Sequence, residues 1–202
     1  MRKSKSLEAR IELPFAEAFR ISLEQIRKRF ARSMIVILSV ALGIAFMSYL
    51  QMTNIILSAY MRQEGAVIEA YQSWLVIVSL FVCGVGLVNS TLIATYERYR
   101  EIGTMKCLGA LDKHILKLYL IEAFLFGLSG GVLGFILGST IATLSNCFQL
   151  GLNVLWRIPI LETLQLLGLT TVISISLSMI ATAYPALKAA KLNPVEALRY
   201  DV

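Results

Sequence analysis

Residues 33–61 read SMIVILSVALGIAFMSYLQMTNIILSAYM, an unbroken run between Arg32 and Arg62 with no charged side chain. A bilayer core ~30 Å thick is crossed by ~20 apolar residues at ~1.5 Å each, so this run alone commits the chain to a membrane. Three more runs repeat the pattern. No charge lies between Glu69 and Glu97 or between Glu162 and Lys188, and from Lys117 to Arg157 the single charge is Glu122. The fold class that follows is an all-α integral membrane protein with four transmembrane helices, at about 33–57, 73–96, 114–144 and 163–184.

The same charges give an orientation. Nine Lys and Arg precede the first span (Arg2, Lys3, Lys5, Arg10, Arg20, Arg27, Lys28, Arg29 and Arg32), and five lie between the second and third (Arg98, Arg100, Lys106, Lys113 and Lys117). Lys188, Lys191 and Arg199 follow the fourth, while the other two loops carry one each, Arg62 and Arg157. Positive residues are retained on the cytoplasmic side. Both termini and the middle loop are therefore expected in the cytoplasm, with the chain multi-pass in the cytoplasmic (inner) membrane. The net charge of +6 then sits beside anionic membrane lipids. It flanks spans and forms no basic domain, which argues against a nucleic-acid partner. Cys83, Cys107 and Cys147 fall at different membrane levels and are read as free thiols. The N-terminal region lacks a short apolar segment with a small-residue cleavage site, so the first span is expected to remain as an anchor.

Residues 1–32 form a cytoplasmic segment. From Pro14, a favoured first helical position, Phe15, Phe19, Leu23, Ile26 and Phe30 recur every three or four residues, with Arg20, Glu24, Arg27 and Lys28 on the other side. That stripe predicts an amphipathic elbow helix, lying on the inner leaflet or packed on protein. Helices filling residues 33–62 and 66–96 would each rise ~45 Å, overshooting the hydrocarbon as a short stalk with its tip near Gly65. The cytoplasmic loop 97–113 is longer than a turnaround requires. Gly103 is a candidate break, Gly109 a candidate helix end and Asp112 an N-cap, so a short helix over Thr104–Leu108 is expected across the base of the bundle. In the third span Gly127, Gly130, Gly131, Gly134 and Gly138 supply small-xxx-small spacings that let helices approach closely in lipid. Their partner is either another span of the chain or a second copy. Trp156 in the outer loop suits an interfacial anchor. Pro185 is read as ending the fourth span. In the cytoplasmic tail 185–202, Asn193, Pro194 and Glu196 are the N-cap, first position and N3 residue of a last short helix.

Catalytic and metal chemistry find little to work with. His114 is the only histidine, the cysteines are dispersed, and no Gly-x-x-x-x-Gly-Lys-Ser/Thr loop exists. Gly127-Leu128-Ser129-Gly130-Gly131 fits G-x-S-x-G and raises an intramembrane serine protease as a remote alternative. Its base would be His114, ~20 Å away along a continuous helix. Glu122 is the one ionisable residue inside a span, with Lys113 and Lys117 near enough to relieve its charge. It is either a group lining a polar cleft or contacting the cytoplasmic loop, or a carboxylate reached by water.

The segment Glu97-Arg98-Tyr99-Arg100-Glu101-Ile102-Gly103-Thr104-Met105-Lys106-Cys107-Leu108-Gly109-Ala110 resembles the E-R-x-R-E-I-G-x-x-[RK]-A-L-G-A signature of FtsX/MacB-like ABC transporter permeases. Glu122 followed by Gly130, Gly131 and Gly134 is similar to that family's next span, and Tyr184-Pro185-Ala186 through Pro194-Val195-Glu196-Ala197-Leu198-Arg199 to its ending. Cys107 and Leu187 replace the usual Ala and Arg. A larger departure lies between the first two spans, where these permeases usually carry a large extracytoplasmic domain and this chain has little beyond Arg62–Glu69.

The resemblance implies a non-catalytic permease subunit that binds no cofactor itself, paired with a separate ABC ATPase subunit carrying ATP and Mg. It also implies a second permease chain, as homo- or heterodimer, and leaves room for an extracytoplasmic accessory protein. Glu97, Arg98, Arg100, Glu101, Gly103, Thr104, Met105, Lys106, Leu108 and Gly109 would form the ATPase-coupling segment. In it, Arg98, Arg100, Glu101 and Lys106 would sit at a polar rim, with Met105 and Leu108 filling a groove of the ATPase. The implied function is export or extraction of an amphiphilic or lipid-linked substrate, or mechanical transmission across the membrane. The alternative is a non-transporting structural membrane subunit.

Overall fold

The computed structural model describes residues 30–60, 66–108, 111–151 and 159–190. Among them the chain forms α1 (Phe30–Tyr60), α2 (Ala66–Glu97), α3 (Tyr99–Cys107), α4 (Asp112–Leu150) and α5 (Ile160–Ala190), with no strand. All except α3 are long and apolar enough to cross a membrane. The expected elbow helix, the turn at Gly65, Gly109, the loop around Trp156 and the final helix with Asn193, Pro194 and Glu196 lie outside the described residues.

α4 is the axis of the bundle, packed chiefly against α1 on one side and α5 on the other. Its glycines divide that work. A Cβ at Gly130 would meet Val40 Cγ1 at 2.6 Å, one at Gly134 the Ala41 carbonyl oxygen at 2.7 Å, and one at Gly138 would strike the Ala45 carbonyl oxygen. Gly127 and Gly131 face α5 instead, where added Cβ atoms would meet Ile175 Cα at 2.7 Å and Ser174 Cβ at 3.0 Å. The glycine face is thus filled within the chain, which leaves no room for dimerisation through it. On α5 a ridge of small polar residues answers it: Thr170, Ser174 and Ser178 are wholly buried, and Thr182 is buried with them. The Ser174 hydroxyl donates to the Gly127 carbonyl at 2.7 Å and Ser178 to that of Ala123 at 2.8 Å. In lipid each such bond contributes ~0.6 kcal/mol and seldom more than ~1.7.

Val36, Val40 and Ile44 of α1, Cys83 and Leu87 of α2, Phe126 of α4 and Ala181 of α5 form one buried cluster shared by all four spans. A second cluster, Met52, Ile56, Phe135, Ala142 and Leu166, draws only on α1, α4 and α5. α2 is accordingly peripheral: 17% of its apolar window is buried, against 50% for α1 and α4.

Several boundaries differ from the sequence reading. α5 continues through Pro185 to Ala190 instead of stopping there. A proline inside a membrane helix is tolerated where neighbours hold the helix on both sides of it, and here Ala181, Ala186, Ala189 and Ala190 are all buried. α4 runs to Leu150, six residues past the expected end, and stops where Gly151 takes φ 87° and its N–H caps the Cys147 carbonyl at 3.0 Å. Leu111 occupies the N-cap position and Asp112 begins the helix, where its carboxylate still meets the positive end of the helix dipole. All three cysteines are free.

Candidate functional site

α2 does not end at a glycine. Thr91 and Thr95 turn their hydroxyls back onto the carbonyls of Leu87 and Thr91, at 2.8 and 2.7 Å, a pattern that bends helices. The chain then breaks at Arg98 (φ −95°, ψ 3°), whose N–H is bonded to the Thr95 carbonyl and whose own carbonyl accepts from Ile102 N–H. α3 starts at Tyr99 and passes through Gly103, which is buried inside it. The expected break at Gly103 and the helix start at Thr104 are therefore corrected to Arg98 and Tyr99.

Arg98 is only 8% exposed and Glu122 only 7%. Arg98 Nη1 and Nη2 donate to Glu122 Oε2 and Oε1 at 2.8 and 2.9 Å. This two-pronged geometry is the strongest that the two side chains can form. Burial works against the Arg98 cation, but the Glu122 carboxylate outweighs it and holds the guanidinium above its ordinary pKa. Two small voids of about 30 and 20 Å³ flank the pair, each with room for about one water molecule. Arg98 Nε is buried there without a hydrogen-bond partner among the described residues. Of the readings open for Glu122, contact with the loop between the second and third spans is the one found, with Arg98 and not Lys113 or Lys117 as its partner. Arg98, expected at an exposed rim, is buried.

A second ion pair closes the far end of α3, where Lys106 Nζ lies 2.8 Å from Asp112 Oδ1. Pairs 98–122 and 106–112 show that α3 runs back antiparallel to the first turns of α4, as one arm of a helical hairpin instead of a bar across the base. Between the pairs, Tyr99 and Ile102 share a buried cluster with Ile115, Tyr119, Ala186 and Ala189. Lys106 also donates to the Ala190 carbonyl at 2.6 Å, and Lys188 of α5 to the Tyr96 hydroxyl at 2.6 Å. The inner face of α3 is thus tied to α4 and α5, and α5 in turn to the end of α2.

The predicted coupling residues consequently divide into two groups. Arg98 and Gly103 are buried, Lys106 is a half-buried clamp, and Met105 is half-buried beside the larger void with Ile115 and Leu118. Glu97, Arg100, Glu101, Thr104 and Leu108 are exposed, Leu108 at 89%. Exposed Cys107 stands next to it. The serine motif is packing: Ser129 donates to the Leu125 and Phe126 carbonyls of its own helix. α4 is continuous from His114 to Ser129, ~22 Å at 1.5 Å per residue, so no serine–histidine pair forms. The polar ridge of α5 was missed, although Thr170, Ser174, Ser178 and Thr182 recur every fourth residue.

The FtsX-like permease C-terminal family matches residues 73–194, a range that contains the hairpin, both of its ion pairs and the glycine face. The chain belongs to this family. This FtsX-like permease is 40% identical over 124 residues to the uncharacterized ABC transporter permease YknZ of Bacillus subtilis, covering 61% of the chain and 30% of YknZ. YvrN of the same organism, also an uncharacterized ABC transporter permease, is 37% identical over 124 residues, covering 61% of the chain and 29% of YvrN. The macrolide export ATP-binding/permease protein MacB of Syntrophobacter fumaroxidans is 35% identical over 125 residues, covering 62% of the chain and 16% of MacB. The chain thus corresponds to less than a third of these relatives' lengths.

Proposed function

We propose that this FtsX-like permease is the membrane subunit of an ABC transporter. In this reading it couples ATP hydrolysis on a separate ATPase subunit, which holds the ATP and Mg, to extraction or export of an amphiphilic or lipid-linked substrate or to mechanical transmission. The hairpin faces the cytoplasm, as its cluster of positive residues requires. The single observation that carries the reading is the two-sided character of α3: one face is fixed to α4 and α5 by Arg98–Glu122 and Lys106, and the other presents Arg100, Glu101, Thr104 and Leu108 to solvent. A lever needs both. A push on the outer face passes through Arg98 into α2 and through Glu122 into α4.

The second permease chain fits against α2. Trp74, Val78, Phe81, Val85 and Ile93 form an exposed apolar stripe on it, and the exposed Asn89 lies in the same stripe. An amide is poorly served by acyl chains, and a two-fold partner would pair it with its own equivalent.

The test is copurification from native membranes. An ABC ATPase should accompany the wild-type chain, and Leu108→Asp should release it without lowering the permease's own melting temperature. A chain that never carries an ATPase, or keeps it undiminished in Leu108→Asp, contradicts the reading and favours a structural subunit.

A further inference from the structure

We propose that one ordered water molecule is bound where the four spans meet, bridging Arg98 Nε, the Tyr119 hydroxyl and the Thr182 hydroxyl. Among the described residues five buried side-chain atoms lack a hydrogen-bond partner, and three of the five are these. Arg98 stands at the break between α2 and α3, Tyr119 on α4 and Thr182 on α5, yet all three line the smaller void, of about 20 Å³. Arg98 is 8% exposed, Tyr119 9% and Thr182 4%, so bulk water does not serve them. A buried polar group without a partner is rare. Three of them around one space of water size point to a shared ligand.

The neighbouring hydroxyls are already engaged. Thr91, on the same void, donates to the Leu87 carbonyl. Thr95 donates to the Thr91 carbonyl and approaches the Tyr119 hydroxyl without forming a bond to it. Thr170, buried on the same face of α5, spends its hydroxyl on the carbonyl four residues back. Thr182 makes no such bond, so its hydroxyl is left for a ligand. Donors and acceptors balance around a single water. Arg98 Nε–H can only donate, while each hydroxyl can donate or accept. The water accepts from Arg98 and from one hydroxyl and donates to the other. Its second hydrogen has the Glu122 carboxylate, which lines the same void. Four bonds are within what a buried water makes. The guanidinium disfavours a cation here and the carboxylate an anion, which leaves a small neutral ligand. Bound there, the water satisfies the third guanidinium nitrogen and joins the break after α2 to α5. The inference needs only the packing of the spans, and neither the side of the membrane on which the hairpin lies nor an ATPase enters it.

An experimental structure of the intact chain, with whatever copurifies, at a resolution that shows ordered water tests it. Wild type should show one water peak within ~3.2 Å of Arg98 Nε, Tyr119 Oη and Thr182 Oγ1. Thr182→Val, which keeps the shape of the side chain, should lose the peak, and Thr182→Ser should keep it. Stability gives an independent reading through its sign. Removing a buried hydroxyl that has no partner leaves the melting temperature unchanged or raises it, whereas removing one that holds a water lowers it. Thr182→Val and Tyr119→Phe should each lower it in detergent, by ~2–4 °C in a chain of this size. The double variant should fall by less than the sum, because the first substitution already loses the water that both hydroxyls hold. Leu108→Asp should leave the peak in place, so loss of an ATPase and loss of the water are separable results. No peak in wild type, a protein side chain standing in its place, an unchanged or raised melting temperature in either single variant, or a strictly additive double variant overturns the proposal.

Discussion

Arg98 and Glu122 each relieve the burial of the other. A lone charge at that depth is costly, and a bidentate partner offsets it. Glu122→Ala removes the bidentate partner of the buried Arg98 cation, with Glu101 the remaining carboxylate near it, and should cost up to about 3–5 kcal/mol, read as a lowered melting temperature in detergent. Arg98→Met/Glu122→Leu removes both charges and should recover most of the loss. A Glu122→Ala protein as stable as wild type would show that the pair holds nothing together. Sequence alone flagged Glu122 as an ionisable group inside a span, but not its partner. The reason is one of placement: with the break put at Gly103, nothing fixed how far the chain descends after Arg98. With α3 at Tyr99–Cys107 it descends ~13 Å, and α4 climbs ~15 Å from Asp112 to Glu122, so the two side chains meet.

At the scale of elements, α4 can sit between α1 and α5 because its glycines let carbonyls of α1 and backbone of α5 come into contact. Gly134→Val must push the Ala41 carbonyl and Ile44 aside and should lower the melting temperature by several degrees or abolish folding. Gly168→Ala meets nothing within 4 Å and should be neutral or, by helix propensity, stabilising by up to ~1 kcal/mol. Equal effects from the two would mean that glycine spacing does not set the helix contacts. The loosest element, α2, makes a separate prediction. Val85→Cys, on the exposed stripe, should form an oxidised dimer in membranes, whereas a cysteine at Gly168 on α5 should not. The long spans were legible because an uncharged apolar run of ~20 residues matches the thickness of a bilayer and exceeds what a buried helix in a small water-soluble fold needs. Pro185 misled because proline ends helices in water, while packing carries α5 past it. Gly103 misled because a buried glycine in a helix and a glycine at a break look alike in sequence.

For the whole molecule, four spans, α2 the peripheral one, and the hairpin make a bundle in which displacement of one short helix would be shared by its neighbours. Cys107 reports on that arrangement directly. It is exposed beside Leu108, whereas Cys83 is buried and Cys147 half-buried near the other end of α4. A membrane-impermeant maleimide applied to sealed cells and to inverted vesicles measures which side the hairpin occupies, and adding back the copurified ATPase measures what covers it. Labelling of Cys107 only in inverted vesicles, slowed at least severalfold by the ATPase, is the predicted result. Labelling from the outside of sealed cells, or a rate indifferent to the ATPase, contradicts the hairpin's role as the surface where an ATPase acts.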